Sequence, residues 1–295
     1  MNRQKPPETV LITGGTNGLG RATALLLAEQ GYRVFAAGRS AERRAQLEEY
    51  ARQGGLPLET VEMDVTEDAS VDRALAEVRA SAGPVDVLIN SAGIGVYAVV
   101  EELTLDDFRR QLETNFYGVL RVIQRVLPEM RERRRGRILN LSSIAGKLAI
   151  PLFGAYSASK FALEGMTDAL RLEMYPFGIH VVLIEPGYIP TGFQGVATAI
   201  SSEYVAGAER SPYAPIYKAY GRRVRRSEAK VRDTPEECAR VILRAMRATP
   251  PKPRYTVTSQ ARWGSFGKRI LSDRQFDRQL IRVFGLDQAR KELSR

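Results

Sequence analysis

The chain has little of what a covalently stapled or metal-held protein needs. It carries one cysteine, Cys238, among 295 residues. No intrachain disulfide can form, and a thiolate zinc site is argued against. A reducing compartment fits that scarcity. Its one histidine, His180, lies inside the apolar run 179–184 and reads as a strand residue rather than a base. With no second histidine, the composition argues against a His-based metal site and a Ser-His-Asp triad. No apolar run reaches the roughly 18 residues that suggest a transmembrane helix. The first eight residues, MNRQKPPE, lack the apolar core of a secretory signal. The expectation is a soluble, cytoplasmic protein with no metal. No internal repeat and no low-complexity segment is visible.

Acidic charge is scarce in one region only. Residues 196–295 hold 22 Lys and Arg against 10 Asp and Glu, whereas the first 195 hold 22 against 24. The basic surface therefore belongs to the C-terminal third. An anionic substrate, an acidic partner, a membrane surface or a plain solvated Arg-rich face would each account for it. No zinc finger and no aromatic-basic RNA motif appears, so no nucleic-acid partner is expected.

The organising stretch is 140–160, NLSSIAGKLAIPLFGAYSASK. Tyr156 and Lys160 are four apart, so on a helix they share a face. Ser143 follows the apolar run 138–141, which reads as a strand. A free tyrosine titrates near pH 10, too high for easy proton exchange at neutral pH. An ammonium about 5 Å away, at an effective dielectric near 20, would favour phenolate by roughly 3 kcal/mol, or about two pKa units. Tyr156 would then suit general acid–base work, and Ser143 could hold a carbonyl or hydroxyl by hydrogen bond. Taken alone, the trio is equally a Ser- and Ala-rich helix start.

The remaining pattern supports a site. Residues 9–13 (TVLIT) read as a strand, 14–20 (GGTNGLG) as a glycine loop and 22–30 as a helix. That order lets backbone approach a pyrophosphate at a helix N-terminus. Residues 32–37 read as strand two. No acid follows it to bond ribose hydroxyls; Gly38, Arg39 and Ser40 come instead. Arginine's planar fork suits a 2′-phosphate, so NADP(H) is expected ahead of NAD(H), with a plain surface charge as the alternative.

A helix over 41–53, a strand over 58–63, a helix capped by Thr66 and running to 82, and a strand over 85–89 continue the alternation. This predicts an α/β, doubly wound parallel sheet in a single domain. Residues 104–134 read as one long helix with Asn115 mid-way, either a surface polar residue or one with a local role. Strand 138–141, helix 155–175 and strand 179–184 complete the core.

At this point the motifs resemble the short-chain dehydrogenases/reductases, in their single-domain Rossmann-fold branch. Those carrying the resemblance occur in the family's order: TGGTNGLG at 13–20, Asp64, NSAG at 90–93, Asn115, Ser143, YSASK at 156–160, and Pro186-Gly187. It covers 8–195 well and 230–258 more loosely. The family usually has Asn-Asn-Ala-Gly where this chain has Asn-Ser-Ala-Gly.

The resemblance implies that Gly14, Gly18 and Gly20 shape the pyrophosphate turn, with Thr16, Asn17 and Leu19 in the same cradle. Arg39 and Ser40 would meet the adenosine end, and Asp64 and Val65 the adenine. Asn90, Ala92 and Gly93 would support the sheet edge and ribose. Pro186, Gly187, Ile189 and Thr191 would flank the nicotinamide. Lys160 would bond the nicotinamide ribose and lower the pKa of Tyr156. Asn115 would hold a water in a proton relay, and Tyr156 would exchange the proton. Long helices 104–134 and 155–175 would form a homodimer or homotetramer.

Residues 196–295 are expected to form a substrate lid and C-terminal helical extension on the 8–195 core. Tyr204, Tyr213, Tyr217 and Tyr220 would either line an apolar pocket or simply pack. A helix capped by Thr234 with Pro235 first, and a last strand over 254–258, should follow. Residues 272–284 are amphipathic, with Phe276, Leu280, Ile281 and Phe284 on one face and Arg274, Arg278 and Arg282 on another. That helix packs on the body, acts as a lid, or touches anionic lipid. The tail looks like that of hydroxysteroid and retinol dehydrogenase-like members, which implies a hydrophobic alcohol or carbonyl substrate. A nucleotide-sensing regulator and an epimerase or dehydratase of the same fold are the alternatives.

Overall fold

The computed structural model describes residues 8–228 and 233–294. Strand β1 (Thr9–Thr13) is buried along its whole length. Its unbroken apolar run suits a strand covered on both faces. Side chains alternate across it: Val10 and Ile12 enter one core layer, and Leu11 the other.

The chain continues through α1 (Gly18–Glu29), β2 (Arg33–Gly38), α2 (Ala41–Gln53), β3 (Leu58–Glu62), α3 (Asp68–Ala82) and β4 (Val87–Asn90). Next come α4 (Leu105–Leu112), α5 (Gly118–Glu132), β5 (Gly136–Leu141), α6 (Gly154–Met174) and β6 (Ile179–Glu185). The C-terminal third adds α7 (Gly192–Ile200), α8 (Ser202–Gly207), α9 (Ala214–Glu228), α10 (Pro235–Arg247) and β7 (Arg254–Thr256). Helices α11 (Ser259–Ile270), α12 (Asp273–Phe284) and α13 (Leu286–Leu293) close it.

The sheet has seven strands in the order β3-β2-β1-β4-β5-β6-β7, and each neighbouring pair is parallel. This is a doubly wound, Rossmann-type fold. The strand order reverses direction between β1 and β4, and such reversal points open a crevice at the strands' carboxyl ends. One core layer packs β-sheet residues against α1 and α10, including Leu27, Val241 and Ile242. The other packs them against α3, α5 and α6, including Val71, Val122 and Leu163. Cys238 sits in the first layer, where burial pushes its thiol up to about 12. It is a packing residue with no reactive thiolate.

Four sequence expectations need correction. Thr66 does not cap α3. Its backbone N–H and hydroxyl both donate to Asp64 Oδ1, at 2.9 and 2.7 Å, and α3 begins two residues later. The segment over 104–134 is helical but not uniformly α: residues 113–117 form one π turn between α4 and α5. The final strand stops at Thr256, because Thr258 leaves the sheet to cap α11 by accepting from Ala261 N–H at 3.1 Å. Ile281 is exposed, whereas Phe276 on the same helix is buried. The capping box at Thr234, with Pro235 first, is as expected. No helix among the described residues is long and apolar enough to cross a membrane.

Candidate active site

The strand ends, the glycine turn and the C-terminal helices enclose one cavity of about 1260 Å³. Sites for a single small ligand span roughly 300–1,000 Å³. This volume therefore leaves room for a dinucleotide and a second molecule.

At one end the wall is main chain. Gly14 and Gly18 have φ of +64° and +51°, a region that L side chains rarely adopt. A Cβ on Gly14 would lie 2.8 Å from Ala92 Cα, and one on Gly20 would lie 2.2 Å from the Gly14 carbonyl oxygen. Any side chain at those points would break the turn or fill the approach to the α1 N-terminus. The backbone N–H groups of that helix start are therefore reachable by an anion.

Thr16, Asn17, Gly18, Leu19, Arg39, Ser40, Asp64, Val65, Ala92 and Gly93 all line the cavity. Pro186, Gly187, Ile189 and Thr191 line it further along. Arg39 pairs with Asp64 at 3.3 Å and is largely solvent-exposed. Ser40 also caps α2, accepting from Arg43 N–H at 3.3 Å. Arg43 joins the same wall and escaped the sequence reading. Its signal was available, since it lies in the first turn of the helix that follows Arg39.

Three expected residues do not reach the cavity wall. Gly20 closes the turn from behind. Asn90 is buried and donates through Nδ2 to Asn140 Oδ1 at 2.8 Å; Asn140 donates in turn to Thr167 at 2.9 Å. It ties the sheet to α6 rather than meeting a ribose. Asn115 is also fully buried. Its Oδ1 accepts from Ile94 N–H at 2.9 Å, and its Nδ2 donates to the Ile94 carbonyl at 3.0 Å and to Ser159 Oγ at 3.2 Å. The π turn displaces this residue from α-helical register. Gln111, one turn earlier, grips the same loop through Val96 N–H and the Ile94 carbonyl, both at 2.8 Å. The pair clamps the floor beside Tyr156, and nothing in the sequence singled out Gln111.

The trio does converge. Ser143, Tyr156 and Lys160 all line the cavity. Ser143 Oγ accepts from Ala145 N–H at 3.1 Å, which fixes the loop after β5. Lys160 Nζ donates to the Leu141 carbonyl at 2.8 Å and stands 5.7 Å from the centre of the Tyr156 ring.

The expected acidification of Tyr156 is not what the protein alone provides. Burial pushes the phenol up to about 12, although a hydrogen bond from Ser143 favours phenolate. Burial likewise draws Lys160 down to about 8, against the pull of Glu164. The Lys160 ammonium is bonded to the Leu141 carbonyl, and only the Ser143 hydrogen bond offsets the phenol's desolvation. The phenol is therefore held neutral near pH 7, the form that donates a proton.

Behind Lys160 lies a partly buried ionic network that no short-range pattern in the sequence reveals. Glu164 is one turn on, and burial raises its pKa. Arg254 reaches Glu164 at 3.2 Å, Glu185 at 3.2 Å and Asp168 at 2.5 Å, and Lys147 reaches Glu185 at 2.7 Å. Two of these acids sit on α6 and one on β6, so the network locks α6 to the sheet edge.

The far end of the cavity is aromatic. Phe153 stacks on Tyr97 at 5.7 Å and meets Tyr156 edge-on at 5.8 Å, while Phe193 covers Tyr156 from another side at 5.8 Å. Tyr220 of α9 stacks on Phe284 of α12 at 6.2 Å. Tyr217 lines the same wall, with its hydroxyl bonded to Glu102. Tyr204 and Tyr213 point elsewhere, bonding Asp107 and Glu101. Of the four tyrosines, two line the pocket and two pack. The apolar side of α12 also faces this space, through Phe276, Leu280 and Phe284.

The fold and this constellation define an oxidoreductase of the nucleotide-dependent type, and the comparisons agree. The family model for short chain dehydrogenase matches residues 8–200. The chain belongs to that family. It is 42% identical over 187 residues to a 3-ketodihydrosphingosine reductase of Bacteroides thetaiotaomicron, covering 63% of this chain and 66% of that one, just under two thirds of the relative's length. It is 36% identical over 259 residues to human 17-beta-hydroxysteroid dehydrogenase type 1, covering 85% and 77%. A variant of actinorhodin polyketide ketoreductase solved with NADPH superposes with a TM-score of 0.74 at 31% identity, covering 86% of this chain and 97% of that one.

Proposed function

We propose that the protein is an NADP(H)-dependent reductase or dehydrogenase acting on a hydrophobic ketone or alcohol. The observation that carries this is the Tyr156 phenol on the wall of a cavity continuous with the glycine turn, with the Lys160 ammonium 5.7 Å from its ring centre. The residues fit a dinucleotide: Gly14 and Gly18 bring bare backbone to the wall before α1, Gly20 lets the turn close behind them, and Arg39 and Arg43 on the same wall could meet an adenosine phosphate. NADPH, if bound there, would be the source of hydride for the carbonyl carbon.

The chain's own residues do the rest. Ser143 hydrogen-bonds the carbonyl oxygen and orients it. Tyr156 gives that oxygen its proton. Lys160 holds positive charge against the phenolate left behind, and so lowers the cost of proton loss in a site where burial opposes it. Asn115 and Gln111 keep the 94–96 loop in place, which holds the site's floor. Phe153, Phe193, Tyr220 and Phe284 exclude water and favour an apolar substrate. The sphingoid and steroid relatives named above support that substrate class.

A homodimer is part of this reading. Leu105, Tyr117, Phe161 and Leu172 are exposed on α4, the π turn and α6, an apolar set that a second copy could cover. A monomeric mass by light scattering at micromolar concentration would remove the dimer.

The test is a panel of hydrophobic ketones with NADPH and NADH in parallel, on wild type and Tyr156→Phe. The expected result is NADPH-preferring turnover that the substitution abolishes. A variant that turns over as fast as wild type would overturn the mechanism. A binding-only nucleotide sensor would show no turnover on any member of the panel.

A further inference from the structure

Helix α11 separates two very different surfaces. Its inner side, through Gln260, Ala261 and Gly264, walls the cavity. Its outer side carries Trp263, Phe266 and Ile270, which are 73%, 55% and 62% exposed. At 100° per residue these three fall within about 60° of one another, so they form one stripe. Trp263 and Phe266 also meet edge-on, with ring centres 6.1 Å apart. Three large apolar side chains this exposed on one face cost solvation free energy in water and mark a contact surface.

The charges beside the stripe say what covers it. Helix α11 carries Arg262, Lys268 and Arg269 and no acidic residue. Arg262 and Arg269 flank the stripe on one side and are exposed. Lys268 pairs with Asp273 at the start of α12. The next helix adds exposed Arg274, Arg278 and Arg282, with Asp277 also exposed among them. An apolar stripe edged by arginines, with a tryptophan at one end, matches an anionic lipid surface. A second copy fits less well. A two-fold axis on this stripe would bring like-charged arginines together, with no acid on α11 to answer them.

We propose that the outer face of α11 docks on an anionic membrane surface, with Trp263, Phe266 and Ile270 entering the headgroup–acyl boundary. Docking there places the bilayer against the helix that walls the substrate end of the cavity. A hydrophobic substrate dissolved in the bilayer then reaches the cavity with less exposure to water. The lipid contact, one of the three readings open for 272–284, thus moves one helix back. The apolar side of α12 is spent on the cavity, and the free apolar side belongs to α11. This docking does not depend on the reaction assigned above, and the two can fail separately.

Trp263 is the chain's only tryptophan, so its fluorescence reports on this site without labelling. The full chain is titrated with vesicles of phosphatidylcholine alone and of phosphatidylcholine with phosphatidylserine. A blue shift and co-sedimentation with the anionic vesicles, reversed by high salt, are expected. Phe266→Ser with Ile270→Ser keeps the reporter and should weaken vesicle binding at least about tenfold, from the apolar area withdrawn. Turnover of a water-soluble ketone, measured without vesicles, should stay at the wild-type value and certify the fold. No shift and no sedimentation in a protein that folds and turns over would overturn the proposal. So would a blue shift that grows with protein concentration in the absence of lipid, which would assign the stripe to a second copy.

Discussion

The cavity's two ends are built from different materials. At the glycine-turn end the surface is largely backbone: Gly14, Gly18, Ala92 and Gly93 bring main chain to the ligand, and strands β1 and β4 fix it in register. At the other end the surface is side chain: Phe193, Tyr220, Phe276 and Phe284 project from α7, α9 and α12. Backbone held in a parallel sheet has few alternative positions, so it suits a ligand of constant shape. Side chains on packed helices tolerate exchange, at a cost set by volume. On the function proposed above, the first end takes the cofactor and the second can be retuned for a substrate.

The contrast can be broken at the point where the two ends meet. Tyr156→Phe should lower kcat by about a thousandfold, the middle of the range for a positioned acid, while NADPH affinity by fluorescence titration stays near wild type. At the backbone end, Gly20→Ala puts a methyl 2.2 Å from the Gly14 carbonyl oxygen. NADPH affinity should fall at least about tenfold, and urea denaturation should show a loss of about 1–3 kcal/mol. If both stay at wild-type values, the turn is not the rigid element described.

Charge at the centre sets the pH response. Lys160, drawn down to about 8, loses its proton well before Tyr156, pushed up to about 12. Reductive kcat should therefore be level through neutral pH and fall above about 8, as the ammonium that offsets the phenolate disappears. Glu164 holds that ammonium charged, so Glu164→Gln should move the falling limb to lower pH. A limb that does not move would detach Glu164 from the site's electrostatics.

Smaller effects sharpen the same comparison. Arg39→Asp should narrow the preference for NADPH over NADH by about tenfold, the worth of a strong charged hydrogen bond, with little change in kcat. At the side-chain end, Phe284→Ala should raise KM for bulky ketones a few-fold and leave small ones unchanged. A matching rise for small ketones would mean that α12 supports the catalytic centre rather than the substrate.

Much of the cofactor end was legible before any coordinates. The apolar run of β1, the glycine spacing and the alternation of strands with helices are local patterns, and they fold as read. Tyr156 and Lys160 were legible because a four-residue spacing on a helix is a contact. The rest depended on elements distant in the chain. Gln111 and Asn115 matter because a π turn aims them at the 94–96 loop, and no residue type announces such a turn. Phe153 meets Tyr220 across 67 positions of sequence. The outward face of α11 became visible only when its inward face was seen to wall the cavity.

From its residues alone, this chain determined the sheet, the glycine turn and the identity of the Ser143, Tyr156 and Lys160 trio, because each rests on short-range spacing and backbone freedom. Tertiary structure decided the proton affinities, since desolvation is a property of surroundings and it reversed the shift expected from charge alone. It also decided which faces of the C-terminal helices enclose the cavity and which meet the outside, because an amphipathic pattern gives a helix two sides but not the neighbour that takes each.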